Sequence, residues 1–308
     1  MSNILLQQSN NPIAIARTFF YALKQEVVRG YPSLNQEEQS RLQDHHPFIK
    51  NPGRYPPELV SAIYASRRMV PVKAILETPN PLVLDAGCGC GSDSILFAAL
   101  GAKVLSVNLA AEEVAIGEKR RRYYEEKLEQ ELHINYVHAD LNDYVPEGKD
   151  ISLTWLASIL AVIEDQETFL KRIFHSTRPG GRVVVVDYNL QHPPFLWNEW
   201  LRRKRALAKS PEFARRADFW GMVRRKGREG AHFFPANGDG LFDDVQFFTP
   251  GTLKSLLRKV GFQVLPPLFT GCAIPLFRQF SVLVEDMLSR LPGWKSLGRA
   301  YLITGIKG

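Results

Sequence analysis

Short apolar runs alternate with stretches of helical periodicity through the chain from residue 81 onward. Strands that alternate with helices indicate crossover connections and a mostly parallel sheet with helices on both faces. We therefore expect an α/β fold with a doubly wound, seven-stranded sheet. The predicted strands cover residues 82–84, 103–107, 134–138, 151–156, 182–186, 262–265 and 300–305. The predicted helices cover residues 93–100, 111–132, 166–175, 250–260 and 280–291.

The first 78 residues carry helical patterns and no strand pattern. Asn11 is a good N-cap and a proline follows it at the first helical position, so a helix is predicted over residues 12–28. Four prolines make residues 44–57 a predicted loop. The next helix is predicted over residues 58–69, with Pro71 kinking or splitting it. We expect this part of the chain, residues 1–78, to form an N-terminal helical cap.

The composition is that of a folded protein in a reducing compartment. Of the 308 residues, 45% are hydrophobic and 23% are charged, which excludes a disordered chain. Three cysteines, an odd number, argue against a disulfide framework and for a cytoplasmic location. The N-terminal residues lack the pattern of a signal peptide. The longest nearly apolar run, residues 151–163, is too short to span a bilayer.

The net charge of +7 is concentrated in one segment. Residues 199–230 hold eleven Lys and Arg against four Asp and Glu, a surplus equal to that of the whole chain. Apolar residues recur between them at three- or four-residue intervals, which predicts two short amphipathic helices. Because residues 188–247 interrupt the alternation of strands and helices, we expect them to be an α-helical lid over the carboxyl ends of the strands. A solvated basic face, a nucleic-acid surface and a membrane-proximal surface are the alternatives.

The segment 83–91, Val-Leu-Asp-Ala-Gly-Cys-Gly-Cys-Gly, is the most informative part of the chain. Gly87, Gly89 and Gly91 allow a sharp turn after a buried strand and leave no Cβ atom where a ligand must approach. The predicted helix that follows presents free N–H groups, which favour an anionic ligand group. The turn alone fits a ligand with a carboxylate or a phosphate group and does not identify that ligand.

In its context, the segment resembles the first motif of class I S-adenosylmethionine-dependent methyltransferases, which have a Rossmann-like fold. The resemblance implies a cofactor-binding core at residues 79–187, completed by residues 248–308 after the lid. Its motifs follow in the family's order, at residues 83–91, 102–108, 138–141, 178–182, 248–250 and 261–262.

By that resemblance, S-adenosyl-L-methionine is the cofactor and the ends of four strands hold it. The glycines line its methionine part, Asp85 orders the loop, and Asn108 stands where the family usually has an acid that binds both ribose hydroxyls. Asp140 meets the adenine amino group, and Leu156 and Ala157 face the sulfonium. The remaining residues that the resemblance assigns to the cofactor site are Cys88, Leu109 and Leu141.

Other interpretations of the motif fit less well. A nicotinamide dehydrogenase requires a third glycine where this chain has Ser92. Cys88 and Cys90 lack a second pair of Cys or His nearby, so we expect no metal site. A non-catalytic cofactor-binding module stays an alternative for two reasons. Position 108 lacks the acid, and Ala161-Val162 stand where many relatives have a Glu-His pair.

Methyl transfer to a hydroxyl group usually needs a general base. Asp187 and Tyr188 follow the fifth predicted strand, and His192 and His232 lie in the insertion. His192 is the first choice, since the pKa of an unperturbed histidine lies near neutrality. His45 and His46 are weaker candidates.

We therefore expect a cytoplasmic methyltransferase that acts on a small-molecule acceptor, in particular O-methylation of a specialised metabolite. N- or C-methylation of a lipid-linked or anionic acceptor is the alternative. The basic lid favours an anionic or amphiphilic acceptor, and peripheral membrane contact stays open. We expect no nucleic-acid partner, and the oligomeric state is left open.

Overall fold

The computed structural model describes residues 11–31, 33–46, 49, 57–144, 146, 148, 150–189, 231–233, 245–270 and 300–308. Its helices are α1 (Pro12–Arg29), α2 (Gln36–His45), α3 (Pro57–Leu76), α4 (Ser92–Ala99), α5 (Ala111–Leu128), α6 (Gln166–Ser176) and α7 (Pro250–Val260). Its strands are β1 (Leu82–Ala86), β2 (Lys103–Asn108), β3 (Ile134–His138), β4 (Ile151–Ala157), β5 (Thr177–Tyr188), β6 (Ala231–Phe233), β7 (Val245–Phe247), β8 (Gln263–Val264), β9 (Leu268–Thr270) and β10 (Ala300–Ile306).

The main sheet has the strand order β3-β2-β1-β4-β5-β10-β8. Strand β8 pairs with the last residues of β10, and β9 pairs with its first residues. The five strands from β3 to β5 are parallel, whereas β10 runs antiparallel to β5. The predicted doubly wound, mostly parallel α/β fold is confirmed, with eight strands in the sheet instead of seven. The strand order reverses between β1 and β4, and ligands of such sheets bind at the carboxyl ends of the strands at this point.

Two apolar cores lie on the two faces of the sheet, because side chains alternate along each strand. Val83 and Trp155 belong to the core that α1, α4 and α5 cover. Their neighbours Leu84 and Leu156 belong to the core that α6 and α7 cover. The predicted coverage of both faces by helices is therefore confirmed.

The described part of the N-terminal region forms three helices, one more than the pattern predicted. The Asn11 side chain accepts a hydrogen bond from the Ile13 amide at 3.0 Å and starts α1, as expected. The unpredicted helix α2 begins at a capping box, in which Asn35 and Glu38 each accept a hydrogen bond from the other's backbone amide. The asparagine and the glutamate three residues later were a usable signal for this helix.

The predicted split at Pro71 is wrong, because α3 continues through it to Leu76. Proline removes one hydrogen bond within a helix. Here Pro71 and its neighbour Val72 are buried, and α3 packs along α1. Tertiary packing therefore outweighs the local preference of proline.

Strand β5 begins earlier than its apolar pattern, at Thr177. The predicted break at residues 179–181 appears as an irregularity inside this strand, because its register with β4 shifts between the pairs that involve Ile151 and Leu153. Gly180 in this irregularity has φ +72°, a conformation that glycine adopts without strain.

The insertion at residues 188–247 contains an antiparallel pair, β6 with β7, that the expected α-helical lid did not include. Strands of three residues carry too few positions for an alternating pattern to be recognised. The two helices predicted over residues 199–230 and the helix predicted over residues 280–291 lie outside the described residues. No described helix has the length and the apolar character needed to cross a membrane.

Candidate active site

The glycine loop between β1 and α4 stands at the carboxyl edge of the sheet. The amides of Gly87 and Cys88 donate to the Val107 carbonyl of β2, at 2.8 and 3.1 Å. Gly87, Gly89 and Gly91 have φ values of +75°, +51° and +73°. The alternating glycines are thus required by the backbone, which enters the left-handed region at every second residue.

Each glycine of the loop also faces a side chain at close range. A Cβ atom on Gly87 would lie 2.7 Å from Ile159, in the loop after β4, and one on Gly89 would lie 2.8 Å from the His45 ring. A Cβ atom on Gly91 would overlap the hydroxyl group of Tyr136 from β3. Any other residue would therefore displace a neighbouring element. The predicted contacts of these glycines with a cofactor stay predictions.

Asp85, at the end of β1, ties the loop to the first turn of α4. It is 2% exposed, and its Oδ2 atom accepts a hydrogen bond from the Ser94 hydroxyl at 2.6 Å. Burial, followed by repulsion from Asp93, raises the pKa of Asp85 to about 7. This hydrogen bond joins the end of β1 to the first turn of α4, and the ordering role of Asp85 stays a prediction.

Asp93 links this region to the N-terminal helix α3. Its carboxylate accepts two hydrogen bonds from the Arg68 guanidinium, at 2.5 and 3.0 Å, and one from the Trp155 indole at 2.9 Å. The Arg68 guanidinium also stacks 3.5 Å from the centre of the Tyr64 ring. An acid that was predicted only as part of a helix thus joins α3, α4 and β4.

A fully buried arginine, Arg120, forms hydrogen bonds with the glycine loop and with the start of α4. Arg120 of α5 donates to the Cys90 carbonyl and, at 2.9 Å, to the Ser92 hydroxyl. Its other terminal nitrogen lies 3.3 Å from the carboxylate of Glu26 in α1, which is 3% exposed. Arg120 stands in a run of four basic residues, 119–122. Nothing in the sequence distinguishes it from its neighbours as the buried one.

Asn108, at the end of β2, forms a polar network with residues from two helices. Its side-chain amide donates to Glu113 Oε2 at 2.7 Å, and His45 Nε2 lies 2.8 Å from Glu113 Oε1. Hydrogen bonding to Cys90 and to Glu113 raises the pKa of His45 to about 10, and the bond from His45 lowers the pKa of Glu113. Leu109, the next residue after Asn108, is 57% exposed. Sequence reasoning missed Glu113.

The end of β3 carries the predicted adenine-binding residues. Asp140 Oδ1 accepts hydrogen bonds from the amide and the side chain of Asn142, at 2.8 and 3.0 Å. Leu141 is buried in the core beneath α6 and α7. The backbone turn at Asp140 is therefore held in one shape, and it lies two strands from β1 at the same edge of the sheet.

The ends of β4 and β5 complete this edge. Leu156 is fully buried, and its predicted position facing the sulfonium stays a prediction. Ala157 is half-buried, and the exposed Ser158 after it has φ +58°. A non-glycine residue in the left-handed region at the end of a strand often marks a functional turn, and no sequence pattern pointed to Ser158.

The four predicted base candidates are only partly described. Asp187 is 1% exposed at the end of β5, opposite Tyr301 of β10, whereas the side chains of Tyr188 and His232 are not described. His192 and the basic segment 199–230 lie outside the described residues. His46, a weaker candidate, instead lies 2.9 Å from the Ser92 hydroxyl beneath the glycine loop. Among the described residues, no group of His, Cys, Asp and Glu could hold a metal ion.

Comparison with known proteins agrees with this geometry. Residues 83–181 match the family model of the methyltransferase domain. A demethylmenaquinone methyltransferase of Clavibacter sepedonicus is 22% identical over 46% of this chain and 56% of its own length. One from Streptomyces avermitilis is 24% identical over 46% of this chain and 60% of its own length. This chain thus matches between 56% and 60% of the length of these curated relatives.

A solved structure shows the same fold over most of the chain. The crystal structure of an S-adenosylmethionine-dependent methyltransferase from Thermotoga maritima superposes with a TM-score of 0.52 and 14% identity. The superposition covers 87% of this chain and 96% of that one. Residues 83–181 are therefore a methyltransferase domain of the class I S-adenosylmethionine-dependent family.

Proposed function

We propose that the chain binds S-adenosylmethionine across the carboxyl ends of β1 to β4 and transfers its methyl group to a small-molecule acceptor. The observation that carries this proposal is the glycine loop. Its backbone is left-handed at three alternate residues and donates two hydrogen bonds to Val107 of β2. The loop follows β1, next to the point between β1 and β4 where the strand order reverses.

The described residues fit the parts of this cofactor. The start of α4 offers amide groups to a carboxylate. Exposed Leu109 offers an apolar surface to the adenine ring, and the turn at Asp140 offers polar groups to its edge. The fit therefore extends over β1, β2 and β3, in the order that the resemblance implies.

The bound cofactor supplies a methyl group on a positively charged sulfur. The task of the protein is to align the acceptor with that methyl group and to exclude water. The turn after β4, with Ser158 in the left-handed region and Ile159 beside Gly87, suits this positioning role. The proposed lid, residues 188–247, would close over the acceptor. Its basic surplus favours an anionic or amphiphilic acceptor.

Isothermal titration calorimetry with S-adenosylhomocysteine tests the cofactor, and transfer of a labelled methyl group tests the activity. The names of the relatives make demethylmenaquinone one acceptor to include, beside phenolic metabolites for the expected O-methylation and amines for the N-methyl alternative. Absence of binding would overturn the proposal. Binding without transfer to any acceptor would favour the non-catalytic cofactor-binding module.

A separate experiment tests the general base. His192→Ala should lower turnover and leave the affinity for S-adenosylhomocysteine unchanged, whereas the control His133→Ala, at a half-exposed side chain, should change neither. Unchanged turnover in His192→Ala would exclude His192 as the general base and leave Asp187, Tyr188 and His232 as the candidates to substitute next.

A further inference from the structure

We propose that Glu113 binds the ribose hydroxyls of the adenosyl group and that Asn108 serves to position it. This assignment rests on the proposed binding of S-adenosylmethionine. It names a carboxylate on α5, five residues after the strand, as the sugar-binding group of this chain.

Glu113 lies close to the end of β2 and to the glycine loop. Glu113 stands in the first turn of α5, directly after β2, and its partner Asn108 ends that strand one residue after Val107, which anchors the glycine loop. Glu113 follows the last glycine of the loop, Gly91, by roughly 20 residues, the separation at which an acid binds ribose in glycine-loop folds of this type. Both the chain and the hydrogen bonds thus bring it beside the loop.

Two hydrogen bonds hold the Glu113 carboxylate in place and leave it able to accept more. Among the described residues, each oxygen of Glu113 has one hydrogen-bond partner, Asn108 for Oε2 at 2.7 Å and His45 for Oε1 at 2.8 Å. A carboxylate oxygen can accept two hydrogen bonds, so each oxygen keeps the capacity for one more. Two neighbouring hydroxyl groups are a matching pair of donors. The side chain is 21% exposed, so a ligand can reach it.

The charge of Glu113 also suits a group that binds hydroxyls. The hydrogen bond from His45 lowers the pKa of Glu113, so the side chain is ionised at neutral pH. A carboxylate at position 108 would stand about 3 Å from that of Glu113, and two like charges at that distance repel. Asparagine avoids the repulsion and donates the bond that orients Glu113. The amide at 108 and the acid at 113 therefore depend on each other.

Calorimetry on three variants and one control tests the mutual dependence of Asn108 and Glu113, with S-adenosylhomocysteine and its 2′-deoxy analogue as ligands. Glu113→Gln should weaken binding of the ribose ligand about 10- to 100-fold, the effect of losing charged hydrogen bonds, and should bind both ligands alike. Asn108→Asp should also weaken binding, because it places two acids together. The double variant Asn108→Asp/Glu113→Gln should recover much of the affinity, since it exchanges the positions of acid and amide.

The matched control is Glu112→Gln, the adjacent and exposed acid of the same turn, which should bind like the wild type. Equal affinity of Glu113→Gln and the wild type for S-adenosylhomocysteine would overturn the assignment while leaving the proposed function intact. A loss that is the same for both ligands would also overturn it, because it would reflect a purely structural role. If the wild type bound neither ligand, the proposed function itself would fail, and this assignment with it.

Discussion

The imidazole ring of His45, at the end of α2, lies directly against Gly89 in the glycine loop, where a Cβ atom would come within 2.8 Å of it. A side chain at residue 89 would have to displace a helix end that also binds Glu113. The N-terminal helices are therefore in contact with the residues to which the cofactor is assigned.

Gly89→Ala should weaken S-adenosylhomocysteine binding by about tenfold or more, equivalent to at least about 1.4 kcal/mol. The added methyl group displaces His45 and strains a backbone with φ +51°. Gly101→Ala is the matched control, because Gly101 has φ +90° and open space around its Cα atom. Both variants should lose about 1–2 kcal/mol of unfolding free energy through backbone strain. Calorimetry should separate them, and equal affinities would contradict the role of the loop.

Arg120→Met should destabilise the protein by about 3–5 kcal/mol, because it leaves the Glu26 carboxylate buried without its counter-charge. Urea denaturation measures this loss. Arg121→Ala, which breaks ion pairs at the surface with Glu118 and Glu125, should cost less than about 1 kcal/mol.

The double variant Glu26→Leu/Arg120→Met gives a sharper test of the same ion pair. It should be less destabilised than the sum of its two single variants, because both buried charges are removed together. Additive losses would mean that the two side chains do not interact.

Asp85→Asn should flatten the dependence of stability on pH. The pKa of Asp85 is raised from 3.8 to about 7 in the folded protein. Between these pH values the folded state holds a proton that the unfolded state has lost, so this residue makes stability fall as pH rises towards 7. The slope that disappears is at most about 1.4 kcal/mol per pH unit.

Urea denaturation between pH 5 and 8 checks this prediction. Asp165→Asn is a suitable control, because hydrogen bonds from the first turn of α6, above all from Thr168, lower the pKa of the exposed Asp165. Its contribution is lost only as pH falls below that range. An unchanged slope in Asp85→Asn would contradict the raised pKa.

Gly117→Ala should destabilise the protein, although alanine normally stabilises a helix by up to about 1 kcal/mol relative to glycine. The new Cβ atom in α5 would lie 2.7 Å from the Tyr136 ring, and overpacking of this kind costs about 1–3 kcal/mol. In a Tyr136→Ala background, which removes the ring, the same substitution should become stabilising. Thermal unfolding of the four proteins measures this reversal of sign, and its absence would show that the ring moves freely.

The sequence was most informative where local chemistry decides the structure. Apolar runs, glycines and capping residues within a few positions of each other predict the parallel strands, the turn at Gly87–Gly91 and the helix between Thr249 and Gly261. The Thr249 hydroxyl accepts a hydrogen bond from the Thr252 amide, and Gly261 ends the helix with φ +119°. The family motifs lie in these same segments.

Contacts between residues far apart in sequence could not be predicted in this way. Glu26 and Arg120 are 94 positions apart, and each resembles the exposed charged residues around it. Glu113 lies five residues beyond the end of β2, and its hydrogen bond with His45 joins residues that are 68 positions apart. Charged residues are usually exposed, so only the folded packing distinguishes these from the rest.

The pair of Glu26 and Arg120 also bears on how this fold can be divided or rearranged. A shortened chain that starts after α3 would contain the glycine loop and all its motifs. It would, however, leave the Arg120 guanidinium without its counter-ion and expose the apolar core beneath α1. Such a fragment would retain every recognisable motif and still fail as a cofactor-binding unit. Transplanting the motif region into another protein would therefore require α1 to be transplanted with it.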